Sequence, residues 1–329
     1  MNPVTVIFGA DSIAGRYLSR HLARNGREVV AVARQRDAWS GDGMFLKWDG
    51  KTPGPWVYAL EGAEAVINLD SGDEKSGISG GLAAESSGHL RAISDAICAC
   101  KVPPRVWLQS SSIAWYGDDE NRGQDEWLGE PGSDAAALLA RQREEAFFAA
   151  KLPATTRKVS MRMGVLLANE SPSVYPIFLR LARLGLGGAS LRGDRRVSWI
   201  HMEDFLRAVE FMIADPFLDA VVNVTAPECP PESEWRRAFC EAAGVSGGLP
   251  GSGCLAPLAA RVRGGDLGPL QRSVRAFPTR LRDAGFRWRF PAVANAVLDL
   301  AQRRGMADFF HDAPERSCRG EGMLPIPTR

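Results

Sequence analysis

The 329-residue sequence lacks any run of about 18 or more apolar residues. No membrane-spanning helix is therefore expected, and the chain enters a strand at Val4 without the basic and apolar segments of a secretion signal. The expectation is a cytoplasmic protein with no membrane partner. A surplus of either charge is also missing, since 40 Lys and Arg face 39 Asp and Glu for a net charge of +1. Without a basic excess to neutralise phosphates, nucleic acid is not an expected partner. Cys98, Cys100, Cys229, Cys240, Cys254 and Cys318 are scattered without the paired spacing of a zinc site, so no metal centre is expected and buried thiols are the reading. Only four tyrosines and four histidines occur. No tyrosine falls between Tyr116 and Tyr175, and no lysine between Lys101 and Lys151.

What is present begins with the stretch Val4–Leu18. The β-branched apolar run Val4–Phe8 breaks at Gly9, and Ile13, Tyr17, Leu18 and Leu22 then share one helical face, which reads as strand, tight turn and helix. Gly9 permits the turn and Gly15 lets the helix lie against the strand, as a dinucleotide pyrophosphate requires. The helix start offers N–H groups and partial positive charge to phosphates, so Asp11, Ser12 and Ile13 belong to the candidate site. Ser12 stands where the pattern usually has its second glycine, and a small hydroxyl still admits or binds a phosphate. The alternative is an ordinary βα unit whose glycines serve packing alone.

Gly26 closes the first helix, and Glu28–Ala33 is the continuous apolar run of a strand buried on both faces. Arg34 follows it. An acid about 20 residues past the glycines would bind the adenosine ribose hydroxyls, whereas a base accommodates a 2′-phosphate. Arg34, with Arg36 and Arg16 as further charges, therefore argues for NADP(H); a solvated surface arginine is the other reading. Phe45–Trp48 is the third expected strand and Ala65–Leu69 the fourth, with Leu69 and Asp70 at its cofactor-facing edge. Asp70 is expected to turn towards the substrate or cap a turn. Ser71–Gly81 reads as a loop suited to a lid, and Ala83–Cys100 as a helix.

Arg105–Gln109 is the fifth strand and runs into Ser110, Ser111, Ser112, Ile113, Ala114, Trp115, Tyr116 and Gly117. Three hydroxyls at the carboxyl end of a central strand lie where such sheets bind ligands. This segment resembles the extended short-chain dehydrogenase/reductase family, with its Ser-rich and Tyr-Gly signature. The resemblance implies that Ser112 hydrogen-bonds the reacting oxygen of a substrate; beside it, Ser110 is expected to contact the cofactor and Ser111 the substrate.

Later segments narrow the resemblance. Arg162–Leu167 reads as the sixth strand. Leu184–Gly188, Gly193, Ser198–Asp204, Val222–Pro227 and Phe277–Phe286 match, in order, the epimerase-like subgroup of NAD(P)-dependent epimerase/dehydratase-like reductases with a small C-terminal domain. The implied fold is α/β, a Rossmann-type doubly wound parallel sheet with a smaller C-terminal substrate lobe. The expected division is an NADP-binding domain at 1–164 with a return segment at 200–224, a substrate lobe at 165–199 and 225–315, and a loose tail at 316–329. Within it, Trp199–His201 is expected to cross back to the first domain and Asp204 to cap the helix Phe205–Ala214. Glu232–Ala243 and Ala292–Arg303 have helical spacing, and Gly244–Gly253 reads as a connection.

The family chemistry requires a Tyr-x-x-x-Lys pair on the helix Ala135–Ala150, because an unperturbed phenol titrates near ~10 and needs a cation beside it. That helix contains neither residue, and Ala137 and Arg141 fall near the expected positions. Arginine does not relay a proton. Tyr116, Asp70, His201 or a water remain as donors, with Tyr116 the most economical. Arg192, Arg195 and Arg196 would suit a carboxylate or phosphate, and His201 could reach the cleft. Two functions stay open: an NADPH-dependent oxidoreductase or epimerase acting on a small polar carbonyl compound, or an NADP(H)-binding sensor or scaffold without turnover. The expected partner is a small-molecule substrate, and a homodimer is compatible with the reading.

Overall fold

A computed structural model describes residues 2–36, 39, 41–70, 79–119, 122–171, 173–185, 195–245 and 272–303. At its centre seven parallel strands follow the order β10-β7-β5-β4-β1-β2-β3. They are β1 (Val4–Phe8), β2 (Glu28–Ala33), β3 (Met44–Lys47), β4 (Ala65–Asn68), β5 (Val106–Ser112), β7 (Arg157–Met163) and β10 (Ala220–Val224). Chain order reverses beside β1, which opens a crevice outside the carboxyl ends of β1 and β4.

The central strands are apolar at nearly every position because both faces are covered. Ile7, Ala31, Ile67 and Leu108 join a cluster with Tyr17 and Leu18 of α1 (Ile13–Arg24) and Phe205 and Val209 of α5 (Met202–Ala214). Val6, Phe8, Val66 and Trp107 face the other way, onto Leu90, Ile93 and Ile97 of α2 (Ser79–Ala99) and Phe147 of α3 (Ala135–Ala149). A third cluster joins α4 (Val174–Arg183), α6 (Glu232–Ala242) and α8 (Val293–Gln302) around Tyr175, Trp199, Trp235 and Phe239.

Several expected elements are redrawn. The sixth strand starts at Arg157 and leaves the main sheet at Gly164, where a Cβ would lie 2.9 Å from the Ser198 carbonyl oxygen. Beyond Gly164, β8 (Val165–Leu167) pairs with β9 (Trp199–His201), so Trp199–His201 belongs to a separate two-stranded sheet. β6 (Gly123–Gln124) and β11 (Arg275–Ala276) form another, followed by the short α7 (Thr279–Asp283). Asp204 is not the cap of α5: His201 is, its Nδ1 accepting from Glu203 N at 3.2 Å. Asp204 is instead fully buried, accepting from Arg289 N and Phe290 N at 2.8 Å each.

α2 begins at Ser79, earlier than its apolar spacing suggested. Most of the expected Ser71–Gly81 loop, most of the Gly244–Gly253 connection and the Arg316–Arg329 tail lie outside the described residues, while 79–81 belong to α2. Of the thiols, Cys240 is buried, whereas Cys98 is exposed, contrary to expectation. No helix among the described residues is long and apolar enough to cross a membrane.

Candidate cofactor and substrate crevice

The β1–α1 turn is built from backbone that tolerates no side chain at two points. Gly9 has φ +70°, and a Cβ on it would lie 2.6 Å from Asp70 N and 2.8 Å from Leu69 C. A Cβ on Gly15 would lie 2.5 Å from the Gly9 carbonyl oxygen. Ser12 caps α1, its Oγ accepting from Gly15 N at 3.0 Å, so the hydroxyl in place of the second glycine serves the helix. The N–H groups of Ile13 and Ala14 remain in the open first turn, where helix geometry aims them at an anion. Leu69 N continues the β4–β1 ladder to the Phe8 carbonyl oxygen at 2.9 Å.

Arg34 leaves the end of β2, and its Nη2 lies 3.7 Å from Asp70 Oδ2 and 3.3 Å from His89 Nε2. Asp70 thus turns towards Arg34 and His89. Burial raises the Asp11 carboxyl above the usual range; its own and Gln35's backbone N–H oppose this, Asp70 adds to it and Arg34 subtracts. The bare turn and the open helix start fit the pyrophosphate of a dinucleotide, and Arg34 stands at the end of the neighbouring strand β2.

The three serines at the end of β5 have three different environments. Ser112 Oγ accepts from Ala114 N at 3.1 Å, which fixes its rotamer while leaving the hydroxyl proton to donate. Ser111 is spent internally: its hydroxyl donates to Glu144 Oε1 at 2.6 Å. Ser160 Oγ at 3.1 Å and Arg162 Nε at 2.9 Å donate to the same oxygen, and Arg162 Nη2 donates to Oε2 at 2.7 Å. That arrangement corrects Ser111 from a substrate contact to a bond that fixes α3 against the sheet. Ser110 lines a small cavity with Asn68, Asp70, His89, Gln109 and Arg143. Asn68 Nδ2 donates to Gln109 Oε1 at 2.9 Å across the β4–β5 ends, and Asn68 Oδ1 accepts from Asp70 N at 3.0 Å.

Tyr116, expected to replace the missing acid, is enclosed and not presented to the crevice. It is fully buried, its hydroxyl donates to Asn223 Oδ1 at 2.8 Å, and the Arg162 guanidinium lies 4.7 Å from its ring centre. Burial pushes the phenol up to about 12 despite Arg162 and Asn223. His201 is likewise fully buried, 4.0 Å between ring centres from Phe290 and 3.3 Å from Asp299, so it does not line an open cleft. Arg195 pairs with Glu232 at 3.1 Å, and Arg192 lies outside the described residues. Arg141 is on the outer face of α3, paired with Glu145 at 3.0 Å.

Sequence reasoning missed Glu144, Asn68, Gln109, His89 and Arg143. For Glu144 a signal existed: Ala137, Ala140, Glu144 and Phe147 are the buried positions of α3, at helical spacing, so a carboxylate falls in line with its core face. Among the described residues no group of His, Cys, Asp and Glu is placed to hold a metal.

Residues 5–224 match the NAD dependent epimerase/dehydratase family. An epimerase family protein of Mycobacterium bovis is 27% identical over 318 residues, covering 92% of this chain and 99% of its own. Among solved structures, the human epimerase family protein SDR39U1 with NADPH is similar at a TM-score of 0.74 and 23% identity, over 91% of this chain and 99% of that one. A nucleoside-diphosphate sugar epimerase from Corynebacterium glutamicum is similar at 0.71 and 21% identity, over 94% and 60%.

Proposed function

We propose that this chain, which belongs to the NAD dependent epimerase/dehydratase family, is an NADP(H)-dependent oxidoreductase acting on a small polar carbonyl compound. The observation that carries the reading is Ser112, held by Ala114 N with its proton still available, at the carboxyl end of a strand two places from β1. NADPH in the human relative supports the cofactor, as does Arg34 at the end of β2. When bound, the nicotinamide would supply hydride to the carbonyl carbon. Gly9, Ile13 and Ala14 present backbone to the pyrophosphate, Arg34 takes the 2′-phosphate, and Ser112 donates to the carbonyl oxygen as charge develops there.

Proton delivery is assigned to water at the Ser112 hydroxyl, because Tyr116 and His201 are enclosed. Losing a side-chain acid costs ~10²–10⁴ in rate, so turnover is expected to be slow. The enclosure of Tyr116 also favours a second reading, a protein that binds NADP(H) without turnover.

The test is twofold. NADPH and NADH are titrated against wild type and Arg34→Ala, where a preference for NADPH that shrinks in the variant supports the cofactor; equal affinities in wild type refute it. A carbonyl panel is then assayed with wild type and Ser112→Ala. Activity lowered at least tenfold by the serine change supports an enzyme. Activity untouched by it removes Ser112 from the chemistry, and no consumption of NADPH by wild type despite tight binding favours the second reading.

A further inference from the structure

The sheet order sets β1 between β4 and β2, so residues leaving β4 and β2 stand on opposite sides of the β1 terminus. Arg34 leaves β2 and Asp70 follows β4, yet their side chains meet at 3.7 Å. They meet over the β1–α1 turn, where Gly9 lies against the backbone of Asp70. His89 reaches the same point from α2, with Nδ1 3.6 Å from Asp70 Oδ2 and Nε2 3.3 Å from Arg34 Nη2. On the NADP(H) reading, this ion pair lies beside the β1–α1 turn that the dinucleotide would cross.

We propose that Asp70 is a stand-in anion, which holds Arg34 across the crevice in the cofactor-free protein and yields it to the 2′-phosphate of the incoming dinucleotide. The inference rests on the NADP(H) reading. At 3.7 Å the pair is looser than a charge-assisted hydrogen bond of ~2.7–2.9 Å, so a phosphate with three acceptor oxygens competes well for the guanidinium. Asp70 is 17% exposed and keeps His89 as a neighbour when Arg34 leaves. A carboxylate in this place has a second consequence: each binding event must break the pair, so Asp70 lowers affinity in proportion to its hold on Arg34.

The test is a binding cycle of wild type, Asp70→Asn, Arg34→Ala and the double variant, read by calorimetry with NADPH and with adenosine 2′,5′-bisphosphate. Asp70→Asn is expected to tighten both ligands about fivefold at low salt, and the gain is expected to vanish when Arg34 is already alanine. A gain that persists without Arg34 overturns the proposal, because it would mark plain repulsion of the phosphates. A weakened affinity also overturns it, since Asp70 would then be a ribose acceptor. If Arg34→Ala leaves the cofactor preference of wild type unchanged, the NADP(H) reading fails by itself. The pair is then judged by the same four proteins without ligand: coupled losses in thermal midpoint support it, and additive losses overturn it.

Discussion

Glu144 grips Arg162 with both carboxylate oxygens, Oε1 to Nε at 2.9 Å and Oε2 to Nη2 at 2.7 Å, and each side chain is 6% exposed. The fork joins α3 to β7, and the guanidinium also lies 3.5 Å from the Trp115 ring centre. Desolvating two charges is repaid only while both remain. Removing one partner, as in Glu144→Ala, is expected to cost ~3–5 kcal/mol. The double change Glu144→Met with Arg162→Leu is expected to recover most of that loss. Urea unfolding of the two variants checks both, and equal losses in the single and double variants would contradict the account.

Tyr116→Phe isolates the phenol. The change removes the buried hydrogen bond to Asn223 Oδ1, worth ~0.5–1.5 kcal/mol, together with the phenol's contact with Arg162. If water delivers the proton, activity on the carbonyl panel stays within about twofold of wild type, far less than the loss expected for a general acid. An ultraviolet titration of Tyr116→Phe against wild type should show no phenolate signal from this residue below the alkaline range, because burial pushes it up to about 12. A large rate loss would restore Tyr116 to the chemistry.

The opening strand, turn and helix were legible because a parallel strand buried on both faces reads as unbroken apolar sequence, and because Gly9 and Gly15 mark where backbone meets backbone. The roles of polar residues were not, since their partners come from remote segments. Tyr116 looked like a free phenol at a strand end until β10 brought Asn223 to it. Asp204 has the residue type of a helix cap, but Arg289 and Phe290, far along the chain, claim its carboxylate. Local spacing carries no information about such pairings. The place of Arg34, directly after β2, was legible because it depends only on the apolar strand before it.

Gly15→Ala tests the turn. The added methyl would sit 2.5 Å from the Gly9 carbonyl oxygen and 2.6 Å from Ala10 Cα, both backbone, so no side-chain rotation relieves the overlap. Moving α1 away from β1 is expected to cost ~1–3 kcal/mol. The same shift misplaces the Ile13 and Ala14 N–H groups, so NADPH affinity should fall at least tenfold, or ~1.4 kcal/mol. Thermal unfolding and calorimetry measure the two effects, and unaltered NADPH binding would show that the pyrophosphate does not rest on this turn.

Asp299 gives the protein an acid-sensitive contact beside α5. Burial by itself would raise its pKa, but hydrogen bonds from His201 and Arg303, with their charges, outweigh burial and hold the carboxyl below its ordinary 3.8. Because the folded value is the depressed one, this contribution is complete above the unfolded pKa and is lost as pH falls through the folded pKa. Wild type should therefore lose stability below about pH 4, and Asp299→Asn should lose less of its own stability over the same interval. The variant should be less stable than wild type near neutrality, and the two stability curves should converge in acid. Urea midpoints measured from pH 7 down to pH 3 decide the matter. Parallel curves would mean that the Asp299 carboxylate contributes nothing to folding through its charge.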